Sequence, residues 1–172
     1  ALSKLEVGRM AVATFGTGPE LVRSFDDPLP VDDMEGGHML QRFSFAQKHT
    51  DVKHLLDFLN IQMNNPGSVS GNGRGDQVRL VFIISDGRLS EREEVRRRVS
   101  ELQSSHILVA FILVDSISDG RKSIFDVQRV EYENDSSGKV KVTPYMDKFP
   151  VEFYAVVRDM SALPSVLADA LR

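Results

Sequence analysis

A chain of 172 residues, 41% of them apolar, is long enough for one domain with a full-sized hydrophobic core, and we expect a single domain over residues 1–172. The net charge of −4 and the pI near 5.6 argue against a dedicated nucleic-acid binder, which would normally present a basic face. The sequence has no cysteine for disulfides or thiolate metal sites, and no apolar run long enough to span a bilayer.

The first predicted element is a strand at residues 10–15, which Gly16-Thr17-Gly18 and a returning strand at 20–25 follow. The two glycines begin the G-x-G of a dinucleotide-binding loop, but Leu21 occupies the third glycine position. We therefore interpret this segment as a hairpin turn. Residues 25–37 are acidic and contain proline, which predicts a loop.

A helix is predicted from about Asp51 to Met63, since apolar residues recur on one of its faces, at Val52, Leu55, Leu56 and Leu59. Thr50 directly precedes this helix and has the chemistry of an N-cap. Residues 64–76, which are rich in Gly, Asn and Ser, predict a second loop. Its Arg74-Gly75-Asp76 tripeptide matches an integrin-binding motif in spelling only.

The next two predicted strands are residues 78–85 and 106–114, nearly continuous in Val, Ile, Leu and Phe. This pattern is typical of strands that helices cover on both faces. Between them, Ser90 and Glu93 have the spacing of a capping box, and an apolar face follows at Val95, Val99 and Leu102. Strand, helix and strand at this spacing predict a right-handed parallel crossover, and hence an α/β fold with a mostly parallel sheet.

Residues 116–150 are predicted to be an insert that holds a β-hairpin. Its strands would be residues 127–132 and 139–143, turning at 135–138. A further strand is expected at 151–157, and a last helix after Ser161, with proline in its first turn.

Ligands of open α/β sheets bind beyond the carboxyl ends of the strands, so the residues that follow strands are candidate site residues. Asp86 comes directly after the strand at 78–85, but Asp-Gly is also a favoured turn pair. Thr50 begins a helix, and the N-cap role accounts for it equally well. Asp115 closes the next strand and is predicted to be another turn residue.

Together, an Asp-Gly pair after a strand and an upstream Thr at a helix start resemble the von Willebrand A-type domains that carry a metal-ion-dependent adhesion site. The resemblance implies that Thr50 and Asp86 hold one Mg²⁺, because hydroxyl and carboxylate oxygens are the hard ligands this ion prefers. It also implies that a partner carboxylate completes the coordination, and that Gly87 and Arg88 contact the partner.

A narrower resemblance covers nearly the whole chain. Several segments are similar to the adhesion-site domain of the midasin family, the giant nuclear AAA ATPases of large-subunit ribosome assembly: residues 4–16, 43–50, 82–88, 145–150 and 156–160, with 163–164 and 171–172. The implied function is non-catalytic docking in the nucleus, nucleolus and nucleoplasm included. The implied partner is a ubiquitin-like domain of a ribosome assembly factor that supplies a Glu or Asp to the ion.

The chain departs from this family in one respect, since the D-x-S-x-S loop that follows the family's first strand is absent from residues 1–172. A start at Ala1 rather than at methionine also suggests a fragment or a processed chain. We expect a further strand, from a separate polypeptide or an unnumbered segment, between the strands at 10–15 and 78–85, since buried backbone groups are almost always paired.

A second hypothesis is a magnesium-dependent phosphoryl-transfer or receiver-like domain with Asp86 as phosphoryl acceptor or metal ligand. Such a domain needs further acidic residues and a lysine at neighbouring strand ends. Asp115 is the only candidate acid, and no lysine follows a core strand. Phosphate release or acyl-phosphate labelling with magnesium would distinguish the two hypotheses.

Overall fold

A computed structural model describes residues 9–28, 30–43, 50–64, 79–115, 122–132 and 140–170. The chain forms two compact units, residues 1–79 with 167–172 and residues 80–166. The predicted single domain depends on how these units pack together, and it stays a prediction.

A β-hairpin opens the first unit. Strand β1 (Val12–Phe15) pairs antiparallel with β2 (Pro19–Arg23), so the predicted returning strand and hairpin turn are confirmed. Arg23 is buried, and its guanidinium donates hydrogen bonds to the carbonyls of Met10, Asp27 and Pro28. These bonds fix the chain on both sides of the hairpin.

Helix α1 (Asp33–Gln41) begins inside the segment predicted as a loop, so that prediction is wrong from residue 33 onward. The Asp32 side chain accepts a hydrogen bond from the Glu35 N–H, and the Glu35 carboxylate accepts one from the Val31 N–H. These reciprocal bonds satisfy donors that a helix start leaves open, and they outweigh the cost of Gly36-Gly37 in the helix.

The predicted helix at 51–63 is confirmed as α2 (Val52–Asn64), which contacts β2 and buries Val52, Leu55, Leu56 and Met63. Its cap is Asp51, whose Oδ1 accepts a hydrogen bond from the His54 N–H at 3.0 Å. That bond lowers the pKa of Asp51 from its ordinary value. The N-cap alternative for Thr50 is therefore wrong, because Asp51 is the N-cap residue.

A three-stranded sheet forms the core of the second unit. It contains β3 (Arg79–Ser85), β4 (Ile107–Val114) and β7 (Tyr154–Val157), in the order β3-β4-β7. Strands β4 and β7 are parallel, from Phe111 opposite Tyr154 to Val114 opposite Val157. All three strands match predicted ones, although β7 begins three residues later than predicted.

Helix α3 (Arg92–Ser104) packs on β4 and buries Val95, Val99 and Leu102, the predicted apolar face. The predicted capping box is wrong. The N-cap is Glu91, which has φ of +51° and makes no side-chain cap bond, and the Glu93 carboxylate pairs instead with Arg96 at 3.4 Å. The helix starts two residues after Ser90, at Arg92, whose side chain is buried against Tyr145.

The predicted insert contains a two-stranded ribbon, β5 (Gln128–Tyr132) antiparallel to β6 (Val140–Pro144). The predicted hairpin is confirmed in its pairing, while its turn at 135–138 lies outside the described residues. Short 3-10 turns flank the ribbon at Ile124–Asp126 and Tyr145–Lys148. The predicted last helix is confirmed as α4 (Leu163–Ala170). No helix in the described ranges has the length and apolar character needed to cross a membrane.

Candidate metal site

The Asp86 carboxylate stands at the carboxyl end of β3 and is accessible to a ligand. Its side chain is 54% exposed, and its Oδ1 accepts a hydrogen bond from the Arg88 N–H at 3.1 Å. The Arg88 Nε lies 4.0 Å from Oδ2, at the limit of an ion pair. The turn role of Asp86 is thus observed, and it leaves most of the carboxylate open to solvent.

Gly87 must be glycine for two independent reasons. Its φ is +73°, a backbone conformation that other residues adopt only with strain. A Cβ at this position would lie 2.7 Å from Ile124 Cδ1 and 3.0 Å from Leu113 Cδ2. The loop after Asp86 is therefore seated directly on β4 and on the 3-10 turn of the insert.

Tyr145, near the carboxyl end of the insert, makes hydrogen bonds to this loop. Its hydroxyl donates a hydrogen bond to the Gly87 carbonyl at 2.9 Å and accepts one from the Leu89 N–H at 2.8 Å. The Arg92 guanidinium stacks 4.2 Å from the centre of the Tyr145 ring and donates a hydrogen bond to the Tyr145 backbone carbonyl. Burial lowers the pKa of Arg92 from its ordinary value. Sequence reasoning missed this contact, although Tyr145 begins a segment that resembles the midasin family.

Asp115, predicted to be another turn residue, is a buried structural carboxylate. Only 6% of the residue is exposed; Ser123 donates its hydroxyl to Oδ2 at 2.6 Å, and the Ile124 N–H donates to Oδ1 at 2.9 Å. Burial raises the pKa of Asp115, but these two hydrogen bonds and the nearby Arg158 outweigh burial and lower it. Asp115 thereby holds the segment that supports Gly87.

Arg88, predicted to contact the partner, points along the surface of the insert. Its Nη2 donates a hydrogen bond to the Lys122 carbonyl at 2.8 Å. Arg88 and Lys122 line an open cleft together with Asp126, Val127 and Gln128. The Arg88 guanidinium therefore lies between the Asp86 carboxylate and the backbone of the insert.

Thr50, the other predicted ligand, is exposed and lies immediately before the Asp51 cap in the first unit. Asp86 belongs to the second unit, so the predicted convergence of the two side chains on one ion stays a prediction. In the part of the chain that the structure describes, no three His, Asp or Glu side chains form a group that could hold a metal. The Arg74-Gly75-Asp76 tripeptide and residues 44–49 lie outside the described residues.

Comparison with known proteins yields relatives in sequence, while no family model matches the chain. The chain is 33% identical to midasin from Dictyostelium discoideum over 174 aligned residues, which cover 100% of the chain. It is 31% identical to midasin from Giardia intestinalis over 170 residues, 98% of the chain. The chain spans 3% of the length of each of these relatives.

Solved structures resemble the chain in fold. An aerotolerance-related membrane protein from Bacteroides fragilis matches with a TM-score of 0.59 and 15% identity, over 99% of this chain and 82% of that one. Manganese-loaded TRAP protein from Plasmodium vivax matches with a TM-score of 0.56 and 13% identity, over 96% and 56%. These are von Willebrand A-type proteins, so the predicted α/β fold class is confirmed.

Proposed function

Because the chain is homologous to midasin over its whole length and has the von Willebrand A-type fold, we propose that it is a metal-ion-dependent protein-docking module. In this proposal Thr50 and Asp86 hold one Mg²⁺, and a Glu or Asp of the partner completes its coordination. The observation that carries the proposal is the exposed Asp86 carboxylate on a fastened loop at the carboxyl end of β3. Ligands of α/β sheets bind at that edge.

The proposed ligands suit the ion chemically. Mg²⁺ prefers oxygen donors in octahedral geometry at about 2.1 Å, and a threonine hydroxyl and an aspartate carboxylate are such donors. They supply two positions, and a D-x-S-x-S loop from outside residues 1–172 would supply others. The manganese-loaded TRAP protein, which shares this fold, supports a divalent ion as the ligand.

The proposed partner is a ubiquitin-like domain of a ribosome assembly factor, bound in the nucleus. Gly87 and Arg88 would contact this partner because they directly follow Asp86, and the Arg88 guanidinium would attract an acidic surface. The domain itself would dock rather than catalyse, while an ATPase elsewhere in the whole protein would supply the work. A cation–carboxylate contact shielded from water would make the dock much stronger than a surface ion pair.

The decisive experiment measures binding of such a ubiquitin-like domain to the intact protein and to its Asp86→Ala variant, with Mg²⁺ or with EDTA. We expect binding to the unsubstituted protein in Mg²⁺ only, and no binding to the variant. The matched control is Asp159→Ala, because Asp159 is also exposed and accepts the same kind of bond, from the Ser161 N–H at 2.9 Å. Binding that persists in EDTA and in Asp86→Ala would refute the proposal.

A further inference from the structure

We infer that Tyr145 is the positioning residue of the metal-binding loop, and that the insert between β4 and β7 serves to deliver it. This inference rests on the proposed function, since it assigns a role in ion binding to a side chain that supplies no ligand to the ion. It also gives the insert a function within the docking site.

The contacts of the Tyr145 hydroxyl lie on both sides of one peptide segment. The hydroxyl donates to the Gly87 carbonyl at 2.9 Å and accepts from the Leu89 N–H at 2.8 Å, and this N–H is shared with the Gly87 carbonyl, which lies 3.0 Å from the Leu89 nitrogen. Asp86 lies between the last residue of β3 and the first of these contacts. The backbone that carries the carboxylate is therefore held by the sheet on one side and by Tyr145 on the other.

The Tyr145 ring is itself rigidly supported. The Tyr145 N–H donates to the Val127 carbonyl at 2.8 Å, which ties it to the start of the ribbon. The Arg92 guanidinium stacks on the ring, and the Phe149 ring lies 6.5 Å away, centre to centre. The hydroxyl therefore reaches the Asp86 loop from a fixed support, and not from a mobile surface side chain.

A site preorganised in this way binds its ligand more tightly, because less conformational freedom is lost on binding. Residues that hold metal ligands in place typically contribute about 10- to 100-fold to metal affinity. Tyr145 acts on the loop backbone rather than on the carboxylate, so we expect the lower end of that range. Loss of the hydroxyl would weaken ion binding while every ligand atom remained.

The test compares Tyr145→Phe with Tyr154→Phe in the intact protein. Both variants lose only a hydroxyl, but Tyr154 lies at the amino end of β7, where its ring contacts Phe149. Two quantities are measured for each: Mn²⁺ affinity by electron paramagnetic resonance, and the exchange rate of the Leu89 amide hydrogen without metal. In Tyr145→Phe we expect about tenfold weaker Mn²⁺ binding and faster Leu89 exchange. In Tyr154→Phe neither quantity should change.

Two results would overturn the inference: one refutes it alone, and the other refutes the proposed function as well. Faster Leu89 exchange with unchanged Mn²⁺ affinity would show that Tyr145 only stabilises the loop. If the unsubstituted protein bound no Mn²⁺, the proposed function would fail and this inference with it, even where Leu89 exchange still rose in Tyr145→Phe. The urea midpoint of unfolding distinguishes a local effect on the loop from a general loss of stability. The midpoint of Tyr145→Phe should stay close to that of Tyr154→Phe.

Discussion

At the scale of single residues, Asp86 and Asp115 show how one sequence pattern leads to two roles. Each directly follows an apolar strand, so the sequence alone predicts a strand-end aspartate in both cases. In the structure the two carboxylates differ in burial and in the hydrogen-bond donors that contact them. Asp115 is buried and accepts from Ser123 and Ile124, whereas Asp86 accepts one backbone N–H and is otherwise exposed. Those donors come from the insert, whose path the local sequence does not encode.

Asp115→Asn should destabilise the protein in a pH-dependent way. At neutral pH the variant keeps an oxygen that can accept the Ile124 N–H, but it loses the charged acceptor of the Ser123 hydroxyl; a hydrogen bond to a charged group stabilises by roughly 1.5–3 kcal/mol. The folded-state pKa lies below 3.8, so the carboxylate contributes fully above that value and loses its contribution as the pH falls through the lower, folded-state value. The difference between variant and unsubstituted protein should therefore shrink below about pH 3.8. Urea unfolding across this pH range measures it.

Asp126→Asn is the matched control for this prediction, since it removes the same charge from an exposed aspartate in the 3-10 turn beside Asp115. We expect the free energy of unfolding of this control to change by less than about 0.5 kcal/mol. A loss in Asp115→Asn that stayed constant from neutral to acid pH would show that packing, and not the charge, explains the effect.

At the scale of elements, the sequence predicted those whose hydrophobic pattern is strong. Strands β3 and β4 and helix α2 are found within a few residues of their predicted bounds, because burial dictates their pattern. Helix α1 was missed because it buries no residue and depends on the bonds of Asp32 and Glu35. The start of α3 was misplaced because its N-cap is Glu91, which makes no side-chain cap bond, and its first residue makes a tertiary contact with Tyr145 that the local pattern does not encode.

Helix α2 offers a direct comparison of a cap with a proposed metal ligand. Asp51→Ala should destabilise the protein by about 1 kcal/mol, since the variant loses the side-chain bond to the His54 N–H. Thr50→Ala should leave the urea midpoint nearly unchanged but abolish Mg²⁺-dependent partner binding. If Thr50→Ala instead lost as much stability as Asp51→Ala and bound the partner normally, Thr50 would be a structural residue and not a ligand.

At the scale of the whole molecule, β3 is an edge strand among the described residues, where β4 is its one neighbour in the sheet. Its sequence is nevertheless that of a central strand, apolar on both faces, and Ile84 is 43% exposed. An apolar edge is an aggregation hazard that proteins normally cover or pair. The sequence offered two candidate ligands, Asp86 after β3 and Thr50 before α2, but completion of the site depends on what lies along this edge.

We predict that the outer edge of β3 pairs with a further strand from outside residues 1–172, and that this strand leads into the D-x-S-x-S loop of the metal site. Hydrogen exchange at single-residue resolution in the intact protein tests the pairing. The amides of β3 should then exchange as slowly as those of Phe111–Val114, the part of β4 that also pairs with β7.

Strand β5 gives the pattern expected of an edge, because in the described ribbon only β6 pairs with it. Its amides should alternate between slow and fast exchange, since alternate N–H groups of an edge strand point away from the partner. The same alternation along β3 would refute the prediction, and so would an experimental structure in which residues 10–15 occupy its outer edge. In either case the metal site would lack the loop that is proposed to complete it, and Asp86 would be left with its turn role alone.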